Sequence, residues 1–180
     1  MARPAGAVRS VSKQDEERLR ELYRFTARTL ETERPVPFGA LVVNSRTGEL
    51  LARATNAVMR ESDPSAHAEL RAVRLGCKKL KSLRLTGYTL YSTCEPCPMC
   101  TANALWARLD RLVFGATIAD ASRYCLQIYV PATEVARRSD MKCQIDGPVM
   151  RELFNTLFTH PNMQEAFRTW SSARQRRIDH

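Results

Sequence analysis

Two short stretches of the chain carry residue types that can do chemistry together. One is His67-Ala68-Glu69; the other is Thr93-Cys94-Glu95-Pro96-Cys97-Pro98-Met99-Cys100. One imidazole and a Cys-x-x-Cys pair suit zinc, which prefers nitrogen and thiolate sulfur. A catalytic zinc keeps three protein ligands and leaves its fourth position to water. His67, Cys97 and Cys100 would be the three ligands, with Glu69, two residues from His67, free to move protons. The same residues leave two blander readings open. Cys94 as a fourth ligand would close a structural cage of one His and three Cys, and a Cys-x-x-Cys pair can also be a redox couple. The Glu placed two residues after the His, and the long Glu-Pro-Cys-Pro-Met-Cys run, weigh toward a catalytic site.

The flanking sequence says how such residues would be held. Asp63-Pro64-Ser65-Ala66 reads as a turn leading into a helix from about Ala66 to Lys79, with Asp63 or Ser65 as its cap and His67 and Glu69 in its first turn. Pro98 reads as a first-turn proline, because its missing N–H costs nothing there. Cys97 and Cys100, three apart, share one face of that second helix, which runs to about Ala107. Two helix N-termini would then meet at the metal, their positive ends favouring thiolate over thiol.

The rest of the chain supplies a frame. A helix begins at Lys13 and repeats Leu19, Leu22, Tyr23, Thr26 and Leu30 at helical spacing; residues 31–37, with Pro35 and Pro37, end it. Phe38–Val43 and Leu50–Asn56 read as a hairpin around the turn Asn44-Ser45-Arg46-Thr47-Gly48. Tyr88–Ser92 is a strand delivering the chain to the Cys motif, and Arg111–Gly115 is the next. This strand–helix–strand unit predicts a parallel pair joined by a right-handed crossover, with the metal at the carboxyl ends of the strands. Beyond Gly115 the pattern gives a short helix at Pro131–Arg137, a strand at Met141–Ile145, an amphipathic helix marked by Val149, Met150, Leu153, Phe154 and Leu157, and after Pro161 a final helix carrying Phe167 and Trp170. The expected organisation is a mobile arm over residues 1–12, one domain over 13–160, and a C-terminal tail over 161–180.

With 180 residues, 44% hydrophobic and 26% charged, the chain suits one globular domain. No apolar run is long enough for a membrane span, and the first ten residues lack the apolar core of a signal peptide. Reduced thiols and a cytoplasmic setting are the simpler expectation for the remaining cysteines, Cys77, Cys94, Cys125 and Cys143. The formal net charge of +9, from 28 Lys+Arg against 19 Asp+Glu, admits a nucleic-acid partner. The basic residues are spread along the chain, however, which favours solubility as their main role.

The motif Asp63-Pro64-Ser65-Ala66-His67-Ala68-Glu69 with Thr93–Cys100 closely resembles the cytidine-deaminase-like superfamily. Pro37-Phe38-Gly39-Ala40 and Trp106-Ala107-Arg108 make it most similar to the bacterial guanine deaminase branch. The resemblance covers residues 13–120. It implies an α/β fold, a three-layer α/β/α arrangement with a five-stranded mixed sheet. It implies one Zn2+ per subunit and hydrolytic deamination of a free amino-substituted heterocycle, guanine or a close purine or triazine analogue, by a water that the metal activates and Glu69 deprotonates. Asn56 matches the family's base-binding Asn, whose amide can donate and accept. Phe38, Ala68 and Trp106 are expected to line the base pocket, and Asp120 to read guanine's amino group. The resemblance further implies a homodimer that exchanges C-terminal segments, Phe167 and Trp170 covering the partner's site. Residues 122–129 depart from the Gly-Phe-Asp-Asp type of stretch of that branch, which leaves related aminopurines, aminopyrimidines and aminotriazines open. The alternatives are a tRNA adenosine deaminase, a cytosine or nucleoside deaminase, and a binding protein in which zinc is structural.

Overall fold

The protein is described here by a computed structural model that covers residues 11–178. The expected mobile arm lies outside the described residues except for Val11 and Ser12, and Ser12 belongs to the fold. It is the N-cap of α1 (Lys13–Ala27), in a capping box in which Ser12 Oγ accepts from the Asp15 N–H and Asp15 accepts from the Ser12 N–H. The box satisfies two helix-end donors reciprocally. A short 3-10 turn, Arg28–Glu31, follows. The hairpin is then formed by β1 (Gly39–Asn44) and β2 (Leu50–Thr55), antiparallel with Gly39 opposite Thr55. A four-residue helix, α2 (Val58–Glu61), leads to α3 (Ala68–Leu80). After it come β3 (Tyr88–Cys94), α4 (Pro98–Trp106) and β4 (Arg111–Ala116). The chain closes with α5 (Ile118–Ala121), α6 (Ala132–Arg137), β5 (Gln144–Asp146), α7 (Arg151–Thr159) and α8 (Pro161–Ile178).

The five strands form one mixed sheet in the order β2-β1-β3-β4-β5. β1 runs antiparallel to β2 and β3, whereas β3–β4 and β4–β5 are parallel. Strand alternation sends side chains to two cores. On one face Leu41, Val43, Tyr91 and Val113 pack with Leu19 and Leu22 of α1, Phe154, Leu157 and Phe158 of α7, and Met163 and Phe167 of α8. On the other face Ala40, Val42, Leu90, Leu112 and Phe114 pack with Ala72 and Val73 of α3 and Ala104 of α4. This is the expected three-layer α/β/α arrangement. Gly115 is required by close packing: a Cβ there would lie 2.2 Å from Phe154 Cδ2.

Three local expectations are corrected. The cap of α3 is His67 rather than Asp63 or Ser65, because Asp63 Oδ1 is taken by the N–H and hydroxyl of Ser65. The last strand is shorter and later than Met141–Ile145, because only Gln144–Asp146 finds partners on β4, opposite Arg111–Val113. Strand β1 starts at Gly39, with Phe38 outside it.

The sheet is bound to α1 by one polar knot. Asp15, 2% exposed, accepts from the Tyr91 hydroxyl and from Arg111, both at 2.7 Å, and Arg111 also donates to Asp146 at 2.6 Å. Burial opposes ionisation of Asp15, but the Arg111 guanidinium, the Ser12 N–H and the Tyr91 hydroxyl outweigh it and hold the carboxyl below 3.8. Its stabilising contribution is therefore complete above about pH 4 and is lost as pH falls through the depressed value. Asp15→Ala removes the cap and strands a buried hydroxyl and a guanidinium. We expect it to lower stability by about 3 kcal/mol at neutral pH, with a difference from wild type that shrinks below about pH 4. Urea unfolding at several pH values measures this; an unchanged midpoint at pH 7 contradicts the role given to the knot.

Candidate metal centre and active site

The two motifs meet at the carboxyl ends of β3 and β4. β3 ends at Cys94, and three residues later Cys97 is the N-cap of α4 in extended conformation (φ −62°, ψ 167°), with Pro98 in the first turn. His67 is the N-cap of α3 in the same conformation (φ −67°, ψ 151°). Each cap's carbonyl accepts the first helical bond, from Arg71 and Thr101 respectively. Neither side chain is used as the cap's acceptor, so the imidazole and the sulfur turn outward from the two helix ends toward each other. Their separation, His67 Nδ1 to Cys97 Sγ, is 3.7 Å. With Cys100 Sγ they give three ligand atoms all within 4.8 Å of one another. This is the donor set of a zinc site, one nitrogen and two sulfurs, arranged around a common centre.

The two sulfurs differ in how readily they ionise. Hydrogen bonds from Cys100 and His67 outweigh burial and bring the Cys97 thiol down to about 4. Cys100 is pushed the other way, first by that same bond to Cys97 and then by burial, while the Leu70 N–H of α3 favours its thiolate. Two adjacent sulfurs cannot both be anionic cheaply unless a cation lies between them. His67 is raised chiefly by its contact with Cys97.

Glu69 stands beside this set and outside it. It is 6% exposed, and Oε2 lies 3.7 Å from Cys100 Sγ while Oε1 accepts from the Ser92 hydroxyl at 2.9 Å. Burial raises its pKa; its own N–H, the His67 imidazole and the Ser92 hydroxyl partly oppose this. A carboxyl near a metal, poorly solvated and not needed as a ligand, is suited to carry protons.

The remaining expected residues divide. Ala68, fully buried, is the first residue of α3. Asn56 and Phe38 come to the same end of the sheet: the Asn56 N–H donates to the Phe38 carbonyl, and the neighbouring Ala57 N–H donates to the carbonyl of Ala66, next to His67. Asn56 Oδ1 accepts from the Val58 N–H at 3.1 Å, which fixes the amide and points its NH2 end away from that turn. Phe38 is half-buried, its ring centroid 5.7 Å from that of Phe158.

Trp106 and Asp120 are not brought to the centre. Trp106 is nine residues beyond Cys97, about 13 Å along the helix. It is 71% exposed and lines an open groove of about 780 Å³ with Val130, Val135 and Met141. Asp120 is buried, with both oxygens committed: Arg151 binds them at 2.8 and 2.7 Å, and Thr117 uses Oδ2 in a capping box. The Thr-x-x-Asp spacing of that box was visible in the sequence and signals a cap. Two further residues carried no such signal. One is Ser92. The other is Glu95, which accepts from the N–H groups of Ile118 at 3.3 Å and Ala132 at 3.0 Å and so ties the segment after β4 to the Cys motif.

Comparison with known proteins agrees with this geometry. The family model for the cytidine and deoxycytidylate deaminase zinc-binding region matches residues 12–116, more than half of the chain. Guanine deaminase from Bacillus subtilis is 42% identical over 86 residues, 48% of this chain and 54% of its own. The tRNA-specific adenosine deaminase of the same organism is 42% identical over 103 residues, 57% of this chain and 62% of its own. The chain thus spans between half and two thirds of the length of these curated relatives. Among solved structures, guanine deaminase from Nitrosomonas europaea superposes with a TM-score of 0.74 at 21% identity, over 84% of this chain and 85% of that one; at that identity it shows the shared fold. A tRNA:A34 deaminase gives 0.66 at 27% identity, over 78% and 99%.

Cys97→Ser and Cys100→Ser are expected to lose most of their zinc, and Glu69→Gln to keep about one per chain. Elemental analysis after dialysis decides this. Full zinc in either Cys variant would reject that ligand, and loss of zinc from Glu69→Gln would make Glu69 a ligand rather than a neighbour.

Proposed function

We propose that this chain, which belongs to the cytidine and deoxycytidylate deaminase zinc-binding family, is a hydrolase that deaminates a free amino-substituted heterocycle, guanine or a close purine or triazine analogue. The observation that carries the reading is Glu69: a buried carboxylate 3.7 Å from one sulfur of the ligand set and outside that set. A structural zinc cage has no use for such a group, and its burial would be a plain cost.

Bound zinc would act as a Lewis acid, lowering the pKa of a water in its open position toward neutrality. His67, Cys97 and Cys100 hold it, and the N-termini of α3 and α4 support the two thiolates. Glu69 would take one proton from the attacking water and give it to a ring nitrogen of the base, then take the second from the hydroxyl of the adduct and pass it to the departing amine. Water adds, ammonia leaves, and the ring carbon ends as a carbonyl, so atoms balance without redox chemistry. Asn56 offers its NH2 to an acceptor on the base edge, and Phe38 supplies an apolar wall.

Support for a small base comes from the side of the sheet away from α3. Rings run in contact from Phe38 through Phe158 and Tyr124 to Phe167 and Trp170, with successive centroids 5.7, 5.7, 5.5 and 5.3 Å apart. The C-terminal helix is thereby packed against the wall that Phe38 forms, in the same chain. This is the segment for which exchange between subunits was expected, and a homodimer with exchanged C-terminal segments stays part of the proposal. The second reading, deamination of adenosine within tRNA, draws on tRNA-specific adenosine deaminases of equal identity and on the net charge of +9.

Ammonia release is to be measured from guanine, guanosine, adenine, cytosine, cytidine, ammeline and a tRNA anticodon stem-loop. Turnover of guanine or another free base is expected, with Glu69→Gln slower by about 10²–10⁴-fold. Release from the stem-loop alone would replace the first reading with the second. Near wild-type turnover by Glu69→Gln would remove Glu69 from the mechanism.

A further inference from the structure

We propose that Ser92 is a positioning residue for the Glu69 carboxylate, a role that rests on the deaminase reading above. Ser92 lies in the middle of the sheet, opposite Ala40 on β1 and Phe114 on β4. Its own face is apolar: Ala40, Leu90 and Phe114 belong to the core under α3 and α4. At 1% exposure its hydroxyl is cut off from water, and its hydrogen bond goes to Glu69 Oε1, at 2.9 Å. Alanine would fill the same place without burying a polar atom, so packing alone does not call for serine here.

The bond acts with the N–H of Glu69 itself to restrain the carboxylate, and it is the one that comes from the sheet. The last torsion of a glutamate side chain is broad and close to two-fold, and Glu69 sits on the first turn of α3, able to swing between the sheet and the ligand set. Donation from Ser92 holds Oε1 on the sheet side. Oε2 is left on the side of the ligand set, 3.7 Å from Cys100 Sγ. Ser92 touches neither ligand nor substrate; it acts through Glu69. A proton carrier misplaced by an ångström can cost about a hundredfold in rate, so the constraint bears on turnover rather than on substrate binding.

The test uses zinc-loaded wild type, Ser92→Ala, Ser92→Thr, Glu69→Gln and the double variant Ser92→Ala/Glu69→Gln, with kcat and KM measured on the best substrate of the panel above. Ser92→Ala is expected to lower kcat about ten- to a hundredfold with KM and zinc content unchanged. Ser92→Thr, which keeps the hydroxyl on a strand-favouring side chain, is expected to restore most of the loss. In the Glu69→Gln background Ser92→Ala should cost nothing further. An active wild type beside an equally active Ser92→Ala overturns the role alone. So does an equal loss in both backgrounds, or a rise in KM with kcat intact, because each makes the serine structural or substrate-facing. A wild type that turns over no member of the panel overturns the deaminase reading and this role with it.

Discussion

The site depends on the parallel pairing of β3 with β4. Parallel neighbours cannot be joined by a tight turn; the chain must cross over, and here α4 is the crossover. A crossover helix begins where the first strand ends. That places the N-terminus of α4, and Cys97 with it, at the carboxyl edge of the sheet. The same reasoning holds for α3. β2 and β3 are both antiparallel to β1 and therefore run in one direction, so α3, which links them, also begins at the carboxyl edge. Two helix N-termini are thus delivered to one place by strand direction alone, before any side chain is considered.

That convergence decides which side chains the place can hold. Helix N-termini present N–H groups and a positive potential, and they favour anions. Two cysteines and a glutamate are gathered there, each of which burial alone would keep protonated. The His67, Cys97 and Cys100 set then gives a zinc ion its charge balance, while the helix ends temper the cost of two thiolates. Glu69 shares in this through its own N–H in the first turn of α3, which favours its charge against burial. Its burial is tolerated because its own N–H and the Ser92 hydroxyl bond the carboxylate and His67 favours its charge. The centre is a compromise in which each group's charge makes sense only with the others present.

Much of this was legible in the sequence, and what was not has a physical reason. The helices and strands through Ala116, apart from the four-residue α2, follow from periodicity and turn residues, and the His-x-Glu and Cys-x-x-Cys spacings pointed to the three donors that the fold gathers. Spacing speaks of neighbours along one helix, though, and says nothing of which neighbour across the sheet a side chain meets. Ser92 therefore read as one more residue of an apolar strand. Trp106 fell near the motif in sequence yet lies more than two helical turns from Cys97 on a groove wall. Asp120 was assigned to substrate by resemblance, whereas its spacing from Thr117 already spelled a capping box. Arg151, thirty-one residues on, could not have been matched to it without the fold.

The segment after β4 is attached to the site in a particular way. Between Thr117 and Ala132 the main chain makes only a short helix and turns, and Leu126, Ile128 and Tyr129 are exposed. It is fastened at both ends to one side chain, Glu95, through the N–H groups of Ile118 and Ala132. Glu95 lies within the Cys motif itself, two residues before Cys97. Between those anchors, Tyr124 stacks on Phe158 and Phe167 and so joins the ring column that reaches Phe38. A segment pinned at its ends and packed at its middle can change its intervening residues without disturbing the metal ligands. The zinc ligands and the segment over residues 118–131 are thus joined through Glu95, and the ring column is a separate packing unit.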